Sequence, residues 1–306
     1  MKNTNQGRCL IIIINWQQCQ LTKKLLENSR FNPEIFDILI FDNESNKITR
    51  AFFTDNKHLF THYRCSPENL GFASPCNIGL NFAHEKGYEF IFFLNNDAII
   101  KNNEAERLFK IVQQNKKIAL ASPLIKDVET GNISFSGARF NNKKNIINHI
   151  KSDEIKNDLE SHRYLLYGTA LFGRVLPLKE VGGFYEPFFA YWEDFLLCND
   201  LMTSGYACSI IKEASVFHKN DRSDEIDTSR SQYYYYYLIR NEVVFWRKVT
   251  TRSIKPIYWL VRRSVCTFIS LIKRSRYSQA KAVIIGLLDG FIGKSGKWKH
   301  HIQKSY

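Results

Sequence analysis

The patterned part of the chain begins with an unbroken apolar run, Leu10-Ile-Ile-Ile-Ile14. Successive β-branched residues without polar alternation predict a strand buried on both faces, as in parallel sheets. Gln17 to Asn28 then reads as a helix and Phe36-Asp-Ile-Leu-Ile-Phe41 as a second strand, with a third expected over Leu59 to Arg64. A helix from about Pro75 to Lys86 carries Ile78, Leu80, Phe82 and Ala83, with Gly87 at its stop position. Phe90-Ile-Phe-Phe-Leu94 predicts a further buried strand.

Strands alternating with helices imply an α/β fold with a mostly parallel, doubly wound central sheet. Ligands of such sheets gather beyond the carboxyl ends of the strands. The polar residues at those ends are Asn15, Asp42-Asn43 and Asn95-Asn96-Asp97. Ile133 to about Lys156 is polar and rich in Asn and Lys, as expected of a hairpin and loop, and a more apolar block runs from Tyr164 to Val181. Asp194 to Ser204 reads as a helix with Phe195, Cys198 and Met202 on one stripe and Gly205 at its end. Tyr206 to Ile211 is a strand candidate.

After His218 the character changes. Asp221 to Ser231 is a charged linker, followed by a mostly helical basic tail. Residues 253–306 hold one acid, Asp289, and about ten net positive charges. The expected division is therefore a domain over 1–220 and a helical, basic region over 221–306.

At 306 residues and 44% hydrophobic, the chain can bury a substantial core. The net charge of +13 asks for an anionic partner: nucleic acid, nucleotide phosphates or acidic lipids. Concentration of that charge in the tail, with no recognised nucleic-acid motif, argues against nucleic acid. The seven cysteines include no C-x-x-C pair, so neither a zinc site nor a disulfide framework is indicated. Cys9 to Ile14 is too short for a signal peptide's apolar core, and the longest candidate span, Ile257 to Ile272, is broken by Arg262 and Arg263. A cytoplasmic protein, peripheral at the inner face of the cell membrane, is expected.

Each candidate for chemistry has a plain alternative. Asp97, just past a buried strand, can hold a divalent metal with oxygen ligands or simply close a turn. Asp42 can read a base or ribose, or cap the next helix. Asn69-Leu-Gly71-Phe-Ala-Ser-Pro-Cys-Asn77 enters a helix, whose N-terminus is also an anion site. Glu193-Asp194 follows Phe188-Phe-Ala-Tyr-Trp192. Acids at a helix start suit the dipole, and beside aromatic faces they also suit sugar chemistry, where a carboxylate deprotonates an attacking hydroxyl. His218 stands alone in the sequence and needs Asp97 beside it in space to act as a metal ligand.

Taken in order, these segments resemble the family 2 glycosyltransferases of the GT-A fold. The matching pieces are Ile-Ile-Asn15-Trp16, Phe-Asp42-Asn43-Glu-Ser45, Asn69-Leu-Gly71-Phe, Asn77-Ile-Gly79, Leu94-Asn-Asn-Asp97 and Gly168-Thr-Ala-Leu. Val181-Gly-Gly-Phe184, Phe189-Ala-Tyr-Trp-Glu-Asp194 and Val216-Phe-His218 continue the series. The resemblance spans about Cys9 to Asn241, and implies an inverting enzyme dependent on Mg²⁺ or Mn²⁺. It implies that Asp42 meets the nucleotide base, with Asn15 nearby. Asn69, Gly71, Asn77, Asn95 and Asn96 complete the donor-binding set. Asp97 is the metal-binding acid of a degenerate D-x-D motif, with Asn95 in the first acid's place, and His218 is a further metal or diphosphate contact. Asp194 is the catalytic base and Glu193 helps with the acceptor. Pro75 and Gly173 depart from the usual pattern.

Tyr237-Leu-Ile-Arg240-Asn241 and Gly286-Leu-Leu-Asp-Gly290 resemble the rhamnosyltransferase branch, which acts on lipid-linked saccharide or polysaccharide acceptors. The resemblance thus implies L-rhamnose from dTDP-rhamnose, the alternative being another UDP- or dTDP-sugar such as galactose or N-acetylglucosamine. A nucleotidyltransferase is the rival, but Ile14-Asn15-Trp16-Gln17 stands where its glycine-rich phosphate loop belongs. Tyr233 to Tyr237, Trp246, Trp259 and Phe268 interleave with Arg and Lys, as in segments that lie on a membrane surface or pack as an ordinary helical appendage.

Overall fold

The structure, a computed structural model, describes residues 5, 7–141, 146–218, 231–250 and 254–299. The N-terminal part runs β1 (Cys9–Asn15), α1 (Cys19–Ser29), β2 (Phe36–Asn43), α2 (Lys47–Asp55), β3 (His62–Ser66), α3 (Ala73–Lys86) and β4 (Phe90–Asn95). Then come α4 (Asn102–Gln114), β5 (Ile118–Asp127), β6 (Ile133–Phe135), β7 (Ala138–Asn141), β8 (Ile146–His149), β9 (Ala170–Arg174) and α5 (Val175–Glu180). The chain continues through α6 (Glu193–Thr203), β10 (Ala207–His218), α7 (Gln232–Val249), α8 (Lys255–Lys273) and α9 (Tyr277–Ile292).

The central sheet has the order β10-β5-β9-β4-β1-β2-β3, with β6 paired to β5. β1 is parallel to both β2 and β4, while β9 runs antiparallel between β4 and β5. The fold is α/β with a mostly parallel sheet, as the run of buried strands predicts. Because the chain returns to the far side of β1 as β4, the carboxyl ends of β1 and β4 flank a topological switch point, where such sheets open a crevice. Beneath it, Phe90, Phe92, Phe93, Phe109, Phe172 and Phe184 form a core of mostly edge-to-face and tilted ring contacts.

Two boundaries differ from expectation for local reasons. The third strand begins at His62, after a short 3-10 turn over Lys57–Leu59. The tenth does not stop at Ile211: an irregularity between Ile211 and Ser215 absorbs Lys212-Glu213-Ala214, and pairing with β5 continues to His218. The expected charged linker falls largely on 219–230, outside the described residues.

Helix α7 is more than an appendage. Phe245 and Trp246 join the main core, while Tyr235, Tyr236, Tyr237 and Ile239 build a second cluster with Phe189, Leu271, Val283 and Trp298. Of the aromatic set that could lie on a membrane surface or pack as an appendage, Tyr235–Tyr237 and Trp246 are buried, whereas Trp259 on α8 is exposed. Helix α9 approaches α7 closely through Gly286 and Gly290, where an added Cβ would meet the Tyr236 and Arg240 carbonyls at 2.7 and 2.9 Å. No helix among the described residues is long and apolar enough to cross a membrane.

Candidate active site

A cavity of about 530 Å³ opens at the carboxyl ends of β1 and β4. Asn69 and Gly71 line it from the loop before α3, Asn95, Asn96 and Asp97 from the end of β4, and Glu193 and Asp194 from the start of α6. Seven of the expected site residues thus meet in one place.

Asp97 is joined by His218. Backbone bonds Ile99 N–H to Phe217 O (2.7 Å) and Phe217 N–H to Ile99 O (2.8 Å) tie the end of β10 to the segment after β4. That bridge sets His218 Nε2 3.2 Å from Asp97 Oδ1. The extension of β10 past its irregularity is what makes this meeting possible.

Asp194 accepts a 2.8 Å bond from the Gly168 N–H at Oδ2 and another, also 2.8 Å, from the Phe195 N–H at Oδ1. These fix the carboxylate at the cavity wall, in the first turn of α6. Glu193 beside it is 5% exposed, and its Oε2 has no hydrogen-bond partner. Burial first, and the neighbouring Asp194 second, push its carboxyl well above the usual range. The pair is chemically unequal: Glu193 is held toward its neutral form while Asp194 has donors arranged around both oxygens.

The backbone leading to this pair is unusual. Phe189, Tyr191 and Trp192 have φ of 66°, 69° and 75°. Left-handed conformations at such residues cost about 1–3 kcal/mol each and persist only where the surroundings over-determine them. Here α7 does so. Arg240, 1% exposed, donates to the carbonyls of Pro187 (3.2 Å) and Phe188 (2.7 Å) and through Nη1 to Gly296 (2.7 Å). Asn241 donates to the carbonyls of Phe188, Ala190 and Tyr191 at 2.9, 2.7 and 2.9 Å. The Trp192 indole N–H reaches the Leu238 carbonyl at 3.0 Å.

The same segment braces the opposite wall. The Phe72 N–H donates to the Phe189 carbonyl at 2.7 Å, at the entry to α3. Gly71 has φ +80°, and a Cβ there would lie 2.2 Å from that carbonyl oxygen, so the position demands glycine on both counts. Asn69 Oδ1 accepts from the Gly71 N–H and from Asn43 Nδ2, which also reaches the Gly71 carbonyl. Asn43, at the end of β2, therefore organises this loop and lines the cavity itself.

Three of the expected donor residues lie off the cavity wall. Asp42 is fully buried, with Oδ1 accepting from Asn15 Nδ2 (2.9 Å) and Oδ2 from Thr49 Oγ1 (2.7 Å) and the Tyr63 hydroxyl (3.0 Å). Asn15 is likewise enclosed, accepting from Thr22 Oγ1. Both stitch α1 and α2 to the strand ends behind the cavity, and neither lines it. Asn77 bonds both backbone groups of Phe184 and the Glu186 carboxylate, so its amide locks α3 to the 184–186 segment instead of facing the cavity. Sequence reasoning left Trp16, Tyr167 and Tyr233 off the cavity wall. An aromatic residue in sequence carries no mark separating wall from core.

Residues 11–180, more than half of the chain, match Glycosyl transferase family 2. The dTDP-rhamnosyl transferase RfbF of Shigella flexneri is 25% identical over 271 residues, covering 86% of this chain and 89% of that protein. The rhamnosyltransferase WbbL of Escherichia coli (strain K12) is 24% identical over 223 residues, covering 68% and 82%. Among solved structures, the mannosyltransferase PcManGT from Pyrobaculum calidifontis, in complex with GDP-Man and Mn²⁺, superposes with a TM-score of 0.61 at 11% identity, covering 96% of this chain and 89% of that one. GalNAc-T7 with UDP, GalNAc and Mn²⁺ gives 0.57 at 14% identity, covering 80% and 48%. These structures share the fold. With the family matched across the segment that builds most of this cavity, the chain belongs to glycosyl transferase family 2 and is a glycosyltransferase whose relatives include rhamnosyltransferases.

Proposed function

We propose that the protein is an inverting, metal-dependent transferase. It moves L-rhamnose from dTDP-rhamnose to a lipid-linked saccharide or polysaccharide in cell-surface glycan synthesis, at the cytoplasmic face of the membrane. One observation carries this reading: Asp97, beside His218, and Asp194, beside Glu193, line or adjoin a single cavity. The rhamnose assignment draws on the names of the two relatives. A panel of nucleotide sugars separates it from UDP- or dTDP-galactose and N-acetylglucosamine.

The donor's nucleoside lies along Trp16, Asn43, Asn69 and Gly71, and its diphosphate at Asp97 and His218. One carboxylate and one imidazole, with the side-chain amides of Asn95 and Asn96 near them, fit Mg²⁺ or Mn²⁺ when phosphate oxygens complete the shell. When bound, such an ion offsets the charge developing on the leaving diphosphate. Asp194 takes the proton of the acceptor hydroxyl as its oxygen bonds to the anomeric carbon. The bond from that carbon to the diphosphate oxygen breaks on the opposite face, and the configuration inverts. Glu193, its carboxyl shifted toward the neutral form by burial and by Asp194, can donate a hydrogen bond to the acceptor when protonated. Tyr167, Trp192 and Phe195 offer apolar faces on that side.

General-base assistance is worth about 10²–10⁴ in rate. Asp194→Asn should lose that much turnover of dTDP-rhamnose while binding dTDP nearly as wild type. Wild-type turnover in this variant would refute the base.

The membrane part of the reading is supported by α8 and α9. Tyr258, Val265, Ile269 and Ile272 are exposed on α8, and Tyr277, Ile284, Leu288 and Phe291 on α9. Both sets follow the same spacing, which lays an apolar stripe along each helix. All ten Lys and Arg residues over 254–299 are exposed, and the one acid there, Asp289, is buried and paired with Lys294. Apolar stripes flanked by cations suit an anionic bilayer.

A further inference from the structure

Arg240 and Asn241 lie in the middle of α7 and do not line the cavity. Their side chains nevertheless take four of five consecutive carbonyls: Pro187, Phe188, Ala190 and Tyr191. The fifth, Phe189, accepts from Phe72 on the opposite wall. Every carbonyl from 187 to 191 is therefore spoken for by a group outside the segment. Arg240 also donates through Nε to Asn241 Oδ1 at 2.8 Å, which orients the amide so that its N–H₂ faces the loop.

A buried guanidinium is a poor choice for mere packing, since an apolar side chain fills the same volume without desolvating a charge. Its direct hydrogen-bond partners here are backbone and amide oxygens, and its cation lies over the Tyr236 and Tyr237 rings at 5.3 and 4.9 Å. What it supplies is a planar fork that several oxygens can share at fixed angles. Three left-handed residues in four determine how the chain enters α6, and hence where the first-turn acids point.

We infer that Arg240 and Asn241 are positioning residues for sugar transfer. They hold 187–191 in the conformation that sets Glu193 and Asp194 at the cavity wall, and through Phe189 they steady the Gly71-Phe72 side as well. This rests on Asp194 being the base. A misplacement of about 1 Å at a reacting group can cost about 10²-fold in rate.

The test compares Asn241→Ala and Arg240→Lys with Val243→Ala, using the full chain. Val243 is buried on the same helix but packs against Gly290 of α9. With dTDP-rhamnose and Mn²⁺, the two clamp variants should lose about 10²-fold in kcat, well beyond whatever they lose in dTDP affinity through the Phe189–Phe72 contact. Val243→Ala, at a similar loss of Tm, should keep its kcat. Amide hydrogen exchange over 187–194 should rise in the clamp variants alone. Arg240→Lys keeps the charge and removes the fork, so it reads the same geometry if Asn241→Ala does not fold. If both clamp variants match Val243→Ala in turnover and exchange, the positioning role is overturned. Exchange that rises while Asp194→Asn still turns over would keep the clamp and discard the base. Should wild type be inert toward dTDP-rhamnose, the donor assignment falls and the exchange comparison alone decides the clamp.

Discussion

His218 Nε2 stands 3.2 Å from Asp97 Oδ1, although 121 positions separate the two residues in the chain. The contact exists because β10 runs past its irregularity and pairs with Ile99. Among the described residues, a divalent ion seated there would take one oxygen from Asp97 and one nitrogen from His218, with the donor's phosphates and water able to complete the shell. Affinity for the ion alone should then be weak and should rise when a nucleoside diphosphate is present. Calorimetry of dTDP binding with and without Mn²⁺ measures this. His218→Ala and Asp97→Asn should each abolish most of the Mn²⁺-dependent gain while leaving metal-free dTDP binding nearly unchanged. A full Mn²⁺ effect in both variants would remove the pair from the metal site.

Glu193 makes a prediction about pH. Its carboxyl is raised by burial and by Asp194, so the folded protein binds that proton more tightly than the unfolded chain does. The stability it contributes is fully present below the unfolded value of about 4.3 and is lost as pH climbs toward the raised folded value. Glu193→Gln carries no such penalty. Its Tm relative to wild type should therefore rise steadily from about pH 4 upward and show little difference at the acid end. A constant offset across that range would mean that Glu193 does not titrate in this way.

The strands that carry the site were readable because buried parallel strands are written as unbroken apolar runs: β1, β2 and β4 all have one. β3 is a polar edge strand, His62-Tyr-Arg-Cys-Ser66, and Lys212-Glu213 hides the continuity of β10 behind two charges. The insertion of β9 between β4 and β5 depends on pairing over long separations and leaves no local signature. At the site the limit is of the same kind. Asn15, Asn69 and Asn77 are one residue type at a strand end, in a loop and in a helix, and each has partners distant in sequence. Asn77 faces Phe184, 107 positions away, and so turns from the cavity, while Asn69 meets Asn43 and stays on its wall. The Tyr237–Asn241 and Gly286–Gly290 patterns could be matched to a family branch but not explained. Their physical content is the clamp on the 187–191 carbonyls and the close approach of α9 to α7.

Gly71→Ala tests the coupling between the two walls. The new Cβ would press on the Phe189 carbonyl oxygen and oppose the positive φ. The cost should reach about 1–3 kcal/mol for the backbone alone. Because the displaced carbonyl also holds the Phe72 N–H, dTDP affinity and turnover should fall together with Tm. A variant with lowered Tm but unchanged dTDP affinity and turnover would show that the Gly71 loop and the 187–191 segment act independently.

The α8–α9 surface yields the last prediction. Two helices each expose an apolar stripe, and the cations around them are not answered by any exposed acid over 254–299. A second copy of the chain would bring like charge against like, whereas phosphatidylglycerol or phosphatidylserine headgroups neutralise it at about 1 kcal/mol per Lys or Arg near the surface. The full chain should therefore sediment with anionic vesicles and far less with pure phosphatidylcholine, and added salt should weaken the binding. Ile269→Ser combined with Leu288→Ser removes apolar area from already exposed positions, so Tm should hold while vesicle binding drops. Arg262→Gln with Lys281→Gln, both exposed and outside the Arg263–Glu242 ion pair, should reduce the anionic preference specifically. Binding that ignores both pairs of substitutions would place the membrane contact elsewhere, and loss of a dimer in sedimentation with no change in vesicle binding would assign the stripes to a second copy.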